Sequence, residues 1–134
     1  MAHYYFDSSA IAKLFLVSEI GAAELLRLHA GGDMWYTSDL CRTEAARAFA
    51  RADAPPDTLA KVLTGIGVIE PTRDTYDLAG RLQPARLRSL DAIHVAAALS
   101  LGPELTAVVT YDARMAEAAR LNGLTVLSPG VDAL

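Results

Sequence analysis

Four carboxylates are placed where chemistry could be done: Asp7, Glu44, Asp91 and Asp112. Asp7 directly follows a β-like run, and Asp112 follows another that ends at Thr110. Asp91 falls in the first turn of a helical run, where the helix dipole favours a carboxylate, and Glu44 sits about one turn into another. In open parallel sheets ligands bind beyond the carboxyl ends of the strands, so all four acids can face one crevice. Taken singly, each has a plain structural explanation. Asp7 and Asp112 are good helix N-caps, Asp91 complements a dipole, and Glu44 can pair with Arg47 or Arg51. Taken together they repel, by a few kcal/mol for each pair ~4–6 Å apart at an effective dielectric near ~20, and a divalent cation removes that strain. Oxygen-only donors favour Mg²⁺ or Mn²⁺. Such a site acidifies water, orients it in line with a phosphate and stabilises the leaving oxygen, which is phosphodiesterase chemistry. Asp7, Asp91 and Asp112 are assigned as ligands. Glu44, reaching in from a helix, acts either as a ligand or through water.

The elements that must position these acids alternate short strands with longer helices, the pattern of a parallel sheet covered by crossover helices. Strands are predicted at His3 to Phe6, Met34 to Thr37, Val68-Ile69, Leu105 to Thr110 and Leu124 to Leu127. The fourth is the strongest, being β-branched and apolar on both faces, as a central parallel strand must be. Helices are predicted over Ala10 to Val17 behind Ser8-Ser9 caps, and over Glu19 to Ala30 up to Gly31-Gly32. Ser38 or Asp39 is expected to cap Leu40 to Ala52, which Pro55-Pro56 closes, and Asp57 to cap a helix through about Thr64. Further helices are expected over Thr72 to Leu82, Ser89 to about Leu101 and Asp112 to Leu121. No repeat or linker interrupts the chain, and residues 1–134 are expected to form a single domain.

Composition narrows the class. At 134 residues and 52% hydrophobic, the chain is long enough for a core without disulfides, and its single cysteine, Cys41, excludes an internal one. A reducing cytoplasm is expected. No apolar run approaches the ~18 residues of a membrane span, and no leader-like segment opens the sequence. The net charge of -4 argues against a protein that coats nucleic acid non-specifically, but not against a nuclease. Ten of the twelve basic residues are arginine, several near the acids (Arg42, Arg47, Arg51, Arg86, Arg88, Arg114). Each is read first as part of a solvated helix face, although Arg can fork onto phosphate. His94 is read as packed and hydrogen-bonded rather than catalytic. Tyr4, Tyr5, Trp35 and Tyr36 are assigned to packing rather than base stacking, and Cys41 to a small buried hydrophobe.

Four segments carry a resemblance. Tyr5-Phe6-Asp7-Ser8-Ser9-Ala10, Ser38 through Glu44, Leu87 through Ala96 (Leu-Arg-Ser-Leu-Asp-Ala-Ile-His-Val-Ala) and Thr110-Tyr111-Asp112 resemble the acidic motifs of PIN-domain ribonucleases, in particular VapC toxins of toxin-antitoxin pairs. The likeness spans nearly the whole chain and includes the close from Gly123 to Pro129. It implies a three-layer PIN-like α/β fold, with a central parallel sheet of about five strands flanked by helices. It also implies Mg²⁺- or Mn²⁺-dependent RNA cleavage by Asp7, Glu44, Asp91 and Asp112. Ser9 matches a hydroxyl that lies beside the metal site in the family, and Thr110 matches the hydroxyl two residues before the fourth acid. A helix cap explains Ser9 equally well, and β-propensity explains Thr110.

The same resemblance implies a cognate VapB-type antitoxin laid along a groove between toxin helices, and a homodimer. Ile11, Leu14, Phe15, Leu25, Leu26, Phe49, Leu59, Val62 and Leu63 supply the apolar content for such a groove and must also serve the core. The alternatives are a PIN-like binding module without activity and a receiver-type phosphoacceptor domain. The latter wants paired acids at the first strand end and a lysine near the last, whereas the lysines here are Lys13 and Lys61. A haloacid-dehalogenase-type phosphatase needs a second acid where Ser9 stands.

Overall fold

A computed structural model describes residues 1–16 and 21–131. Strands β1 (His3–Phe6), β2 (Met34–Ser38), β3 (Gly67–Ile69), β4 (Ala107–Val109) and β5 (Val126–Leu127) form one sheet in the order β3-β2-β1-β4-β5, and every pairing is parallel. Parallel neighbours need a crossover rather than a hairpin. Helices α1 (Ser8–Lys13), α2 (Ala22–His29), α3 (Leu40–Arg51), α4 (Thr58–Leu63), α5 (Arg73–Ala79), α6 (Ser89–Leu99) and α7 (Ala113–Leu121) supply those connections.

Successive strand residues face opposite sides, so β1 serves two cores. Tyr4 and Phe6 pack with Ile11, Leu25, Trp35 and Phe49 beneath α1 to α4, while Tyr5 packs with Val95, Val108 and Met115 beneath α6 and α7. α5 lies against α6 on this second side. The result is the expected three-layer α/β arrangement. Each large apolar side chain buried contributes roughly 1.5–3 kcal/mol, and a one-residue slip of β1 would exchange the two sets, so burial fixes the register. Tyr4 lies opposite Trp35 on β2 and Ala107 on β4. Gly67 is needed at the sheet edge because a Cβ there would come within 3.0 Å of the Tyr36 ring.

Several element ends differ from expectation. The first helix begins at Ser8 because Asp7 caps it, its carboxylate accepting from Ala10 N at 3.0 Å. Ser8 and Ser9 are thereby released to other partners. Ser38 continues β2 instead of capping α3, and Asp39 turns its carboxylate to Arg42 Nε at 2.9 Å. Asp57 pairs with Lys61 at 3.1 Å and makes no side-chain cap. The fourth strand is shorter than predicted, spanning Ala107–Val109, although Thr106 N still reaches His3 O at 2.8 Å and Thr110 N reaches Leu127 O at 3.1 Å. The predicted helix positions Val17, Glu19 and Ile20 lie outside the described residues.

From β1 the chain moves outward to β2 and β3, then crosses back to β4 and β5 on the other side. Connections therefore leave the carboxyl ends of β1 and β4 in opposite directions, which opens a crevice there.

Candidate active site

Asp7 lies at the floor of that crevice and is 4% exposed. Its Oδ1 accepts from Ser9 Oγ at 2.6 Å as well as from Ala10 N, and its Oδ2 accepts from Thr110 Oγ1 at 2.5 Å. The two hydroxyls are themselves held: Ser9 Oγ accepts from Tyr111 N at 3.0 Å, and Thr110 Oγ1 from Asp112 N at 3.1 Å. The ends of β1 and β4 are thus laced together through the Asp7 carboxylate. Burial raises the Asp7 pKa above the ordinary carboxylate value, and His94, Ser9, Thr110 and Ala10 oppose that rise.

Asp91, half-buried in the first turn of α6, is also raised, first by burial and then by the charges of Asp112, Asp7 and Glu44. His94 opposes that rise. Asp112 is exposed and caps α7, its Oδ1 accepting from Arg114 N at 2.9 Å. Asp7 and Asp112 are consequently both helix caps and members of the acid group, the two readings being compatible.

Glu44 is held differently. Its Oε1 accepts from Ser8 Oγ at 2.7 Å and from His94 Nε2 at 2.7 Å, leaving Oε2 without a protein partner among the described residues. Burial raises the Glu44 pKa, but the hydrogen bonds from His94 and Ser8 outweigh it and hold the carboxyl below its ordinary value. His94 is 2% exposed, and its Nδ1 lies 2.7 Å from the Tyr5 hydroxyl. Burial raises the Tyr5 pKa, and the phenol keeps its proton. A carboxylate only accepts, so the bond to Glu44 places an imidazole hydrogen on Nε2.

His94 is packed and hydrogen-bonded, as the sequence suggests. What sequence reasoning missed is that its partner is a member of the acid set, and that Ser8 and Tyr5 complete the support. Two signals were present: Asp91 and His94 are three residues apart on one helix face, and Tyr5 points to the α6 side of the sheet because its neighbours Tyr4 and Phe6 point away. Tyr4, Tyr5 and Trp35 are buried in the cores and Tyr36 is half-buried, while Cys41 is wholly buried.

Among the described residues, no group of three or more His, Cys, Asp or Glu side chains is already arranged as a metal cluster. Each acid instead has a protein donor or a repelling neighbour. The donor set nonetheless fits a hard cation. It is all oxygen, the charges of Asp112, Asp7 and Glu44 press on Asp91, and Mg²⁺ keeps several of its waters, through which carboxylates can also hold it.

A protein-family model, the PIN domain, matches residues 4–121. Ribonuclease VapC47 of Mycobacterium tuberculosis (strain CDC 1551 / Oshkosh) is 42% identical over 132 residues, covering 94% of this chain and 96% of the relative. Ribonuclease VapC46 of M. tuberculosis (strain ATCC 25618 / H37Rv) is 38% identical over 130 residues, covering 96% and 99%. Among solved structures, M. tuberculosis VapC20, described as a sarcin-ricin loop cleaving toxin, aligns with a TM-score of 0.73 at 18% identity, covering 94% of this chain and 99% of that one. That structural likeness establishes the fold, and the family match and the two relatives settle kinship: the chain belongs to the PIN-domain family, among the VapC ribonucleases.

Proposed function

We propose that this chain is the toxin of a toxin-antitoxin pair, an endoribonuclease in which Asp7, Asp91 and Asp112 hold Mg²⁺ or Mn²⁺ and Glu44 acts through water. What supports this reading is placement: Asp7 follows β1, Asp112 opens the helix after β4, Asp91 lies in the first turn of α6, and Glu44 is tied to Ser8 beside Asp7 and to His94 on α6. A divalent cation bound there supplies Lewis acidity to the phosphoryl oxygens and acidifies water.

The remaining work falls to the chain itself. Ser9, Ala10 and Thr110 keep both Asp7 oxygens fixed, and Oδ2, which accepts only from Thr110, has a lone pair left over, so the carboxylate needs no reorganisation on binding. Asp91 and Asp112 reach the crevice from the starts of two different helices. Glu44 is anchored through Oε1 and offers Oε2 to orient the attacking water and take its proton. With its pKa held low, Glu44 is ionised and able to accept.

An antitoxin partner and a homodimer belong to the same proposal. Of the apolar residues on the first helices, Ile11, Leu14, Leu25 and Phe49 are committed to the core, while Phe15 and Leu26 are 42% and 37% exposed and are the ones offered to a partner. Among the described residues no helix is long and apolar enough to cross a membrane. The deciding experiment incubates the purified chain with total cellular RNA and Mg²⁺ or Mn²⁺, then with a chelator, and maps the cut ends. Cleavage at discrete sites that the chelator abolishes is expected. Chelator-resistant cutting would sink the metal mechanism, and an absence of any cutting would favour the binding-module reading.

A further inference from the structure

The acid group is flanked by two depressions of opposite character. On one side a cavity of about 360 Å³ borders Asp91 and is lined by Arg86, Arg88, Arg114 and Glu117. On the other, a depression bordering Glu44 is lined by Asp39, Glu70 and the apolar Tyr76, Pro71 and Leu90, with no basic residue. In the first cavity Arg86 is already matched, its Nη2 lying 2.9 Å from Glu117 Oε1. Arg88, immediately before α6, and Arg114, in the first turn of α7, line the same cavity and form no ion pair with a described residue. In a chain of net charge -4 these two guanidiniums, without an ion-pair partner among the described residues, stand beside the residues that would cut a polyanion.

We propose that the Arg88–Arg114 cleft binds a backbone phosphate of single-stranded RNA next to the scissile bond, so that the strand runs to the α6–α7 side of Asp91. The inference rests on the ribonuclease reading above. Guanidinium forks match phosphate oxygens, whereas Glu44 and Glu70 of the opposite depression repel them, Asp39 there being paired with Arg42. The cleft has no aromatic wall on which a base could stack, so it positions the strand and does not read its sequence. Arg86, tied to Glu117, shapes the outer wall.

The test uses the full chain carrying Arg88→Gln, Arg114→Gln or both, with labelled single-stranded oligoribonucleotides of mixed, all-uridine and all-adenosine sequence. Binding is followed by anisotropy in chelator, and KM and kcat by cleavage of the mixed strand in Mn²⁺. Each single change is expected to weaken binding and raise KM roughly three- to tenfold, alike for all sequences, and to lower the slope of log K against log salt by about 0.7. The kcat should stay near wild type. The control is Arg47→Gln/Arg51→Gln, a pair that lines a separate depression with Ala50 and should leave binding unchanged.

An equal loss in that control would mean net charge alone, and an unaltered salt slope would mean no phosphate contact; either overturns the proposal. So would a loss confined to one base composition, or a loss of binding to a partner protein with RNA binding intact. Wild-type protein that neither binds nor cleaves RNA would overturn the ribonuclease reading itself. Active wild type with indistinguishable Arg88 and Arg114 variants would overturn only the cleft.

Discussion

His94 Nε2 stands 2.7 Å from Glu44 Oε1, joining a buried imidazole on α6 to the one acid that reaches the crevice from α3. The bond makes Glu44 part of a chain that runs through His94 to the Tyr5 hydroxyl on β1. Replacing His94 by Ala strands the buried Tyr5 hydroxyl and the half-buried Glu44 carboxylate at once and should destabilise the fold by about 2–3 kcal/mol, measured by urea unfolding. Single-turnover cleavage should fall with little change in KM, because what is lost is the fixed direction of Glu44. Gln at this position can still donate to Glu44 and should recover part of both. If His94→Ala kept wild-type turnover, Glu44 would not depend on its anchor.

Asp91→Asn is the sharper of the two obvious acid variants. It removes a charge that Asp112, Asp7 and Glu44 repel, so metal-dependent cleavage should be abolished while the metal-free fold keeps or gains stability. Asp7→Asn is expected to abolish cleavage too, but an amide NH₂ there meets Thr110 or Ser9 hydroxyls that already donate to the carboxylate, so some stability is lost as well. Thermal melts and an RNA gel for each variant separate these outcomes; normal cleavage by either would refute the site assignment.

Thr110→Val keeps the β-branched shape at the strand end and deletes only the hydroxyl. If Thr110 is there to orient Asp7, Mn²⁺ affinity by titration calorimetry should drop roughly 10- to 100-fold. If β-propensity is its whole purpose, affinity should not move.

The pH dependence follows from the directions of the pKa shifts. Asp7 and Asp91 have folded-state values above their ordinary 3.8, so the folded protein holds protons that the unfolded chain has released. Their contribution to stability is complete below about 3.8 and declines as pH rises through the raised values. Glu44 runs the other way: its value lies below 4.5, so it stabilises above that pH and ceases to as pH falls through its lowered value. Metal-free protein should therefore lose melting temperature on going upward from the acid range, and saturating Mg²⁺ should restore it. At ~100 times Kd the restoration is worth about 2.7 kcal/mol. Scanning calorimetry with and without Mg²⁺ across pH checks this, and a Mg²⁺ increment that did not grow with pH would contradict it.

The acids and the parallel sheet were legible in the sequence because both rest on local signals: Asp7 and Asp112 close β-branched or aromatic runs, and Asp91 opens an Ala-rich helix. Element ends were less so. Whether Asp7 or Ser8 caps α1 depends on which side chain is engaged elsewhere, and Ser8 turns out to serve Glu44, thirty-six positions away. The role of His94 was hidden for the same reason: nothing near it in the chain announces that α3 will bring a carboxylate to its ring. The opposite charge of the two flanking depressions is a property of the assembled surface and of no single segment.

The hydroxyl of Thr110 reaches Asp7 across 103 positions of sequence. A chain emerging from its own ribosome thus carries its first acid almost from the start, yet that acid has neither its clamp nor its companions until β4 has been made and slotted in beside β1. Pairing so distant in sequence forms late and all together. The Asp7 carboxylate therefore takes up its clamped geometry only when most of the chain has been made.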